Sequence, residues 1–301
     1  MRRIIPSICL LLLSCYVSGA ATHPFFTRYT DTDGLTDFNI TNGCQDPFGR
    51  IWLAANGGGY FYTGNKFTPF RNERYQEACS TTTQAIAADP DGRVWIATSA
   101  GTGYYDVYSG EFTEIPELKK ESVRDIDTGA DGEIWLTSYN GIWMYARDGR
   151  LQKAVSGNAF SPRSSCLLEN GDLVFTTRDG DIYFMERRTQ GVSLLKHAGT
   201  GPDGTPVRYE LVEHVRQGTV LASTNTKKVV TIDAYTGTEE TVLSTSTSEY
   251  VSEITCLMVR AGEFWIGTRS GLLVYNISTH EIAPATANCT KESITPSLCG
   301  A

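Results

Sequence analysis

Residues 46–62 read DPFGRIWLAANGGGYFY. The stretch opens on Asp-Pro-x-Gly, which suits a type I turn because proline presets the second position and glycine closes it. Apolar residues around Trp52 follow, then a glycine step and two further aromatics. As chemistry, ANGGGY (55–60) would be a phosphate loop. It lacks the Gly-Lys-Ser/Thr ending and the following helix that cradle phosphate. As architecture, the stretch is a turn, a strand, a turn and a strand.

The architectural reading gains weight because the stretch returns. Aligned on its aromatic, six lines stand out: GRIWLAANGG (Trp52), GRVWIATSAG (Trp95), GEIWLTSYNG (Trp135), GDLVFTTRDG (Val174), GTVLASTNTK (Leu221) and GEFWIGTRSG (Trp265). The markers lie 43, 40, 39, 47 and 44 residues apart, the period of a four-stranded propeller blade. Before each marker comes an inner strand a, such as TQAIAA (83–88) or VRDID (123–127). Strand b carries the marker. A Gly-containing turn leads to an aromatic-rich strand c, and a further turn leads to strand d. The expected fold is all-β, a β-propeller of four-stranded antiparallel blades. Six blades are readable, over about Thr36 to Thr286. Phe26–Tyr29 parallels strand d of the first blade and would complete a last blade. Strands a to c of that blade have no counterpart in the final fifteen residues. The expectation is therefore a chain one blade short of a seven-bladed ring, with a six-bladed ring closed by an extra strand as the alternative. Open terminal blades would present sheet edges and apolar faces.

Around this core, Arg2, Arg3, the apolar run IIPSICLLLLSCYV and the small residues SGAA make residues 1–21 a signal peptide. The propeller is placed at 22–286. Residues 287–301 form a C-terminal tail or the start of an incomplete further blade. The apolar run is too short to span a bilayer. LLSC at 12–15 gives Cys15 as a minor lipoprotein alternative. Export to the periplasm or outside the cell follows. Eight cysteines fall to six after cleavage. Cys44, Cys166 and Cys256 fall on strands, Cys79 on a loop, and Cys289 and Cys299 could pair in an oxidising compartment. No CxxC spacing points to a metal. A net charge of −8 argues against a nucleic-acid partner, whose binders carry basic patches.

Residues 29–70, YTDTDGLTDFNITNGCQDPFGRIWLAANGGGYFYTGNKFTPF, resemble the two-component regulator propeller repeat: DGL, an Asn and a strand, D-x-x-G-x-[IVL]-W, a glycine and an aromatic, then Phe. The units at Trp95, Trp135 and Trp265 match its middle, and those at Val174 and Leu221 match in spacing and apolar pattern. The resemblance implies the N-terminal periplasmic sensor propeller of a hybrid two-component regulator, which detects oligosaccharides and controls glycan-utilisation genes. In such regulators a second propeller, a β-sandwich, a membrane span and a histidine kinase follow, and homodimers form. None of these further domains is legible in this chain, so the resemblance assigns it recognition and no kinase activity.

Catalytic readings find little. DTDG, DPDG and GADG suggest half a calcium loop but lack the later bidentate Glu. A sialidase would need an arginine cluster and a Tyr nucleophile, and a glycoside hydrolase two placed carboxylates. A propeller lyase would need histidines gathered near a metal, and His23, His197, His214 and His280 are scattered in sequence. No cofactor, metal or catalytic residue is expected. Trp52, Trp95, Trp135 and Trp265 read as packing markers between blades. What varies is the b–c turn: Asn56, Ser99, Tyr139 and Asn140, Arg178 and Asp179, Asn225 and Arg269. Varied polar residues on a fixed scaffold suit a recognition surface, for an oligosaccharide or another small ligand. The longer d–a loops at 71–79 and 197–209 would flank it. A stand-alone module binding protein or carbohydrate is the alternative reading, and a lyase or glycoside hydrolase the third.

Overall fold

The structure, a computed structural model, describes residues 27–71, 81–201, 203–244 and 252–285. The signal segment 1–21 with Cys15, and also His23, Cys79, most of the 71–79 loop and the 287–301 tail with Cys289 and Cys299, lie outside the described residues. Six four-stranded antiparallel sheets follow one another along the chain, each with its strands in sequence order a-b-c-d. Blade 1 comprises Ile40–Gln45, Ile51–Ala55, Gly58–Tyr62 and Phe67–Pro69. Blade 2 comprises Thr83–Ala88, Arg93–Thr98, Gly101–Asp106 and Phe112–Glu114. Strands a of blades 3 to 6 are Val123–Thr128, Pro162–Leu167, Tyr209–Arg216 and Ile254–Arg260. Each strand a packs beside the next, from blade 1 through blade 6, so these strands are innermost. The all-β propeller is as the repeat arithmetic predicts.

The blades are joined face to face by one recurring contact. The marker of each of blades 1 to 5 packs against the strand-c residue that lies opposite position marker−1 in the next blade. Trp52 meets Tyr105 at a ring separation of 5.5 Å, and Trp95 meets Tyr145 at 5.0 Å. Trp135 shares a cluster with Met185, Val174 with Ile232, and Leu221 with Tyr275. The five partners hold the same register: Val94↔Tyr105, Ile134↔Tyr145, Leu173↔Met185, Val220↔Ile232 and Phe264↔Tyr275. All five markers are at most 1% exposed. Large aromatic burial of this kind dominates core energetics. Val174 and Leu221 therefore occupy the tryptophan position, which explains why those two units keep the spacing without the aromatic.

The glycine of the DGL sequence has a local cause. Thr30 N–H donates to Asp33 Oδ2 at 2.7 Å, and the chain reverses through Gly34 at φ +88°. A Cβ there would lie 2.1 Å from the Phe67 carbonyl oxygen, so only glycine fits. The reversal drops Leu35 into a cluster with Ile40, Tyr60 and Phe67. Tyr29 stacks edge-on against Tyr62 and Phe67, at 5.2 and 5.1 Å. Residues 27–30 form no strand, where the sequence suggested one at Phe26–Tyr29. That stretch instead covers the outward face of blade 1 with its aromatic.

Of the strand cysteines, Cys166 is buried, Cys44 is half-buried and Cys256 is exposed. Burial pushes the Cys44 thiol up to about 12 and raises that of Cys166 well above its ordinary value. These two thiols are held neutral and act as small apolar groups.

Candidate recognition rim

Because each blade runs a-b-c-d, the b–c turns and the d–a linkers share one end of the propeller. The a–b and c–d turns share the other. Position marker+4 heads every b–c turn: Asn56, Ser99, Tyr139, Arg178, Asn225 and Arg269. Its backbone is anchored in the same way in four blades. The N–H groups of Ser99, Arg178, Asn225 and Arg269 donate to the carbonyls of Thr82, Ser161, Arg208 and Glu253, at 2.9–3.0 Å. Each acceptor directly precedes strand a of the same blade. In blade 1 the residue after Asn56 is held by a side chain instead, with Gly57 N–H donating to Asp37 Oδ2 at 2.5 Å. The backbone of the rim is thus fixed while its side chains differ.

Those side chains are not equally available. Asn56, Asn140, Arg178 and Asp179 are exposed. Tyr139 is half-buried, with the Arg124 guanidinium 4.4 Å from its ring centre. This pair presents a cation and an aromatic face at the mouth of blade 3. Asn225 is turned to its own linker: its Oδ1 accepts from Arg208 N–H at 2.8 Å and its Nδ2 donates to the Pro206 carbonyl at 3.0 Å. Arg269 Nε is engaged by Glu253 at 2.6 Å. The 197–209 linker forms a small hairpin, Gly199–Thr200 against Pro206–Val207. Asp181 holds its other end, accepting from Ala198 N–H at 2.6 Å and lying 3.0 Å from His197 Nδ1.

The structure brings Arg178 and Asp179 next to Arg208. A Cβ on Gly180 would lie 2.4 Å from the Arg208 Cβ, and Tyr209 N–H donates to the Gly180 carbonyl. Tyr139 and Asn140 connect to the same region through the helical turn Gly157–Phe160, since Gly157 N–H donates to the Asn140 carbonyl at 2.9 Å. The rim of blades 3 to 5 is therefore continuous. Asn56 stands apart on blade 1. Sequence reading missed Arg124 and the Arg163–Glu210 pair, 2.9 Å apart across blades 4 and 5. Both lie on inner strands at the second position, a signal open to a reader who compares strand a from blade to blade.

A second polar cluster lies between the inner strands. Ser165 Oγ donates to Asp127 at 2.6 Å, and Ser164 Oγ and Ser165 N–H both donate to Asp125 at 3.1 Å. Burial raises the Asp125 and Asp127 carboxyls above the usual carboxylate range, and the charge of Asp125 adds to the rise of Asp127. Burial, with Asp125 nearby, pushes Glu213 up to about 7. No group of metal-ligating side chains is assembled among the described residues. The described histidines are dispersed: His197 at the rim, His214 beside Glu169 at 3.0 Å, and His280 bonded to Tyr275 at 2.7 Å.

A shallow open cleft at the opposite end is lined by Asn170, Asp172, Glu186, Arg187 and Arg188. Its polar groups largely bind one another. Arg187 pairs with Asp131 and Glu133 at 3.1 Å, and Asn170 donates to Asp172 at 2.6 Å.

Comparisons with known proteins place this geometry. No curated protein matches the sequence. The chain shares its fold with the extracellular domain assigned to the hybrid two component system BT3049 of B. thetaiotaomicron, with a TM-score of 0.69 and 18% identity, over 87% of this chain and 37% of that one. It shares it also with the extracellular domain assigned to the one component system BT4673 of the same organism, at 0.67 and 17%, over 82% and 33%. Virginiamycin B lyase from Staphylococcus aureus is similar at 0.64 and 15%, over 85% and 87%. At these identities the likeness establishes the fold, and this chain spans only about a third of the length of the first two. In sequence, residues 79–100, which hold strands a and b of blade 2, match the two component regulator propeller.

Proposed function

We propose that the chain is an exported recognition propeller that binds a small ligand, an oligosaccharide in the first instance, at the rim of blades 3 to 5. Binding there would be passed to further domains of a two-component regulator. The observation that carries this reading is the rim itself: one backbone anchor shared by blades 2, 4, 5 and 6 beneath side chains that differ. Tyr139 with Arg124 offers a stacking face and a cation. Arg178, Asp179 and Asn140 offer donors and acceptors suited to hydroxyl groups. The propeller match at 79–100 and the shared fold with extracellular domains of regulators support a sensory role. Recognition without catalysis fits the dispersal of the described histidines, each beside its own partner, where the lyase reading asks for a gathered set.

The test is calorimetric titration of the full chain with a panel of neutral and acidic oligosaccharides, alongside Tyr139→Ala and Arg178→Ala. Binding that weakens at least tenfold in both variants supports the reading. Binding that both variants leave unchanged moves the site elsewhere. Turnover of a panel member would return the enzyme reading.

A further inference from the structure

Two c–d turns carry the same short sequence, D-x-Y-[ST]-G, over 106–110 in blade 2 and 233–237 in blade 5. Each aspartate folds its own turn. Asp106 Oδ1 accepts from the Tyr108 and Ser109 amides at 2.8 and 2.9 Å, and Asp233 Oδ1 from the Tyr235 and Thr236 amides at 3.0 and 2.7 Å. Blade 6 builds this turn with Ser278 in the tyrosine position, where Asn276 Oδ1 accepts from the Ser278 and Thr279 amides at 2.9 and 3.0 Å. The turn itself therefore does not require a tyrosine. Yet Tyr108 is 65% and Tyr235 57% exposed. Tyr235 is also held as a plane. One face of its ring lies on Gly218, where a Cβ would find no room. Phe184 meets the ring at 65° and 5.7 Å, and the Tyr235 hydroxyl accepts from Asn170 Nδ2 at 3.1 Å. The far face is open to solvent.

Asn170 also lines the open cleft with Asp172, Glu186, Arg187 and Arg188, so the ring stands at the edge of that cleft. Arg187 is taken up by Asp131 and Glu133. Arg188 is 86% exposed, with Glu186 3.7 Å away, and the Tyr235 hydroxyl keeps its own proton to donate. Among the described residues, no other large hydrophobic side chain is exposed on the a–b and c–d turns of blades 4 and 5. A protein partner would ask for a contiguous apolar patch. In the cleft two arginines balance two carboxylates, which suits an uncharged ligand. A pyranose sugar meets these terms. Its axial C–H groups carry partial positive charge and stack on the negative face of an aromatic ring, while its hydroxyls donate and accept. We infer that Tyr235 and the cleft beside it form a second binding site, for a neutral pyranose sugar, at the end of the propeller opposite the rim. Tyr235 is the stacking face. Arg188 and the Tyr235 hydroxyl donate to sugar hydroxyls, and Glu186 accepts from them. Tyr108 has Phe48 against its ring at 5.2 Å and no such cleft, and stays outside the site. The assignment does not rest on the rim reading.

The test is calorimetric titration with cellohexaose, maltohexaose and mannohexaose, and with hexagalacturonic acid as the charged comparison. Each titration uses the full chain and the same chain carrying Tyr139→Ala and Arg178→Ala, which silences the rim. At least one neutral hexaose should bind the rim-silenced chain. Adding Tyr235→Ser, which copies the blade 6 turn, should weaken that binding about tenfold or more. Tyr235→Phe keeps the plane and should retain most of it. Tyr108→Ser removes an exposed tyrosine from the matching turn and should leave it unchanged. The proposal is overturned if no neutral hexaose binds the rim-silenced chain, if hexagalacturonic acid alone binds, or if Tyr235→Ser has no effect. Equal losses in Tyr235→Phe and Tyr235→Ser also overturn it, since the ring would then not be the stacking face. Binding to the parent that vanishes when the rim is silenced supports the rim and removes this site. Binding that depends on Tyr235 alone supports this site without the rim.

Discussion

Trp52 Nε1 donates to Asp46 Oδ2 at 2.8 Å, across the first turn of its blade. Arg50 Nε binds the same oxygen at 2.6 Å, and the Phe48 and Arg50 amides donate to Asp46 Oδ1 at 2.9 and 3.1 Å. Blade 2 repeats the arrangement, with Asp89 accepting from Trp95, Arg93 and the Asp91 amide at 2.6–2.9 Å. The D-x-x-G-R-x-W pattern is thus a carboxylate that ties a turn to the packing marker. Burial works against the Asp46 anion, and the bonds from Trp52 and Arg50 outweigh it, so its pKa is lowered. Removing the carboxylate strands a buried indole N–H and a guanidinium. Asp46→Ala or Asp89→Ala should each cost about 2–4 kcal/mol in urea unfolding. A cost below about 0.5 kcal/mol would show the link to be incidental.

Blade 3 departs from the pattern, with Gly129 in place of the aspartate. Trp135 Nε1 is buried there without a hydrogen-bond partner. Restoring the aspartate alone should not help. A Cβ on Gly129 would lie 2.2 Å from the Glu133 carboxyl carbon, and the new carboxylate would face the old one. Gly129→Asp should therefore lower Tm, while a rise in Tm would show that Glu133 can swing away.

Asp125, Asp127 and Glu213 bring three carboxyls from blades 3 and 5 around Ser164, Ser165 and Cys166 of blade 4, with Thr137 beside Ser165. None of these neighbours is a cation. Burial raises all three carboxyls, so the folded chain holds protons that the unfolded chain has released. Stability from such a group is complete below its ordinary value, 4.5 for Glu213, and is lost as pH rises through about 7. Glu213→Gln should flatten the fall in Tm between pH 5 and pH 8. Asp127→Asn should flatten it as well, since burial raises this carboxyl too and the folded chain holds its proton where the unfolded chain has released it. An unchanged pH profile in both variants would remove the cluster as its cause.

The fold was legible because a blade is a local object. Its turns, its marker and its strand alternation all fall within about forty residues, and the six copies confirm one another. The links between blades were not. Ser164 and Asp125 stand 39 residues apart, and nothing in either strand announces the other. The rim was half legible. Variation at marker+4 pointed to Tyr139, Arg178, Asn225 and Arg269 together. Only the folded structure separates Asn225 and Arg269, which bind their own linkers, from Arg178, whose side chain binds no described linker residue. The uncovered Trp265 was hidden for the same reason. Its sequence context, GEFWIG, is that of a buried marker, and burial depends on what packs against it.

Trp95 and Trp265 occupy the same position in their blades and should respond differently to truncation. Trp95 is fully buried against Tyr145, so Trp95→Ala should cost about 3–5 kcal/mol. Trp265→Ala removes a half-exposed ring on which no further blade packs among the described residues, and should cost about 1 kcal/mol or less. Urea unfolding of both variants checks the ordering. Equal losses would mean that the blade 6 face is covered in solution.

The rim can be divided into side chains that recognise and side chains that hold. Asn225 staples the Arg208 amide and the Pro206 carbonyl. Asn225→Ala should cost about 1 kcal/mol and speed amide exchange over 199–207, where the hairpin loses that anchor. Arg178 is exposed and its side chain makes no hydrogen bond or ion pair with a described residue, so Arg178→Ala should leave stability within about 0.5 kcal/mol of the parent. Arg124→Ala should do nearly the same, because an exposed cation over an aromatic contributes only about 0.5–1 kcal/mol. If the rim of blades 3 to 5 binds ligand, the two arginine variants lose affinity with stability intact. Asn225→Ala instead loses stability first and affinity only through the loosened linker. Hydrogen exchange and ligand titration on the same three variants read both quantities. Loss of affinity confined to Asn225→Ala would place the ligand on the 197–209 hairpin.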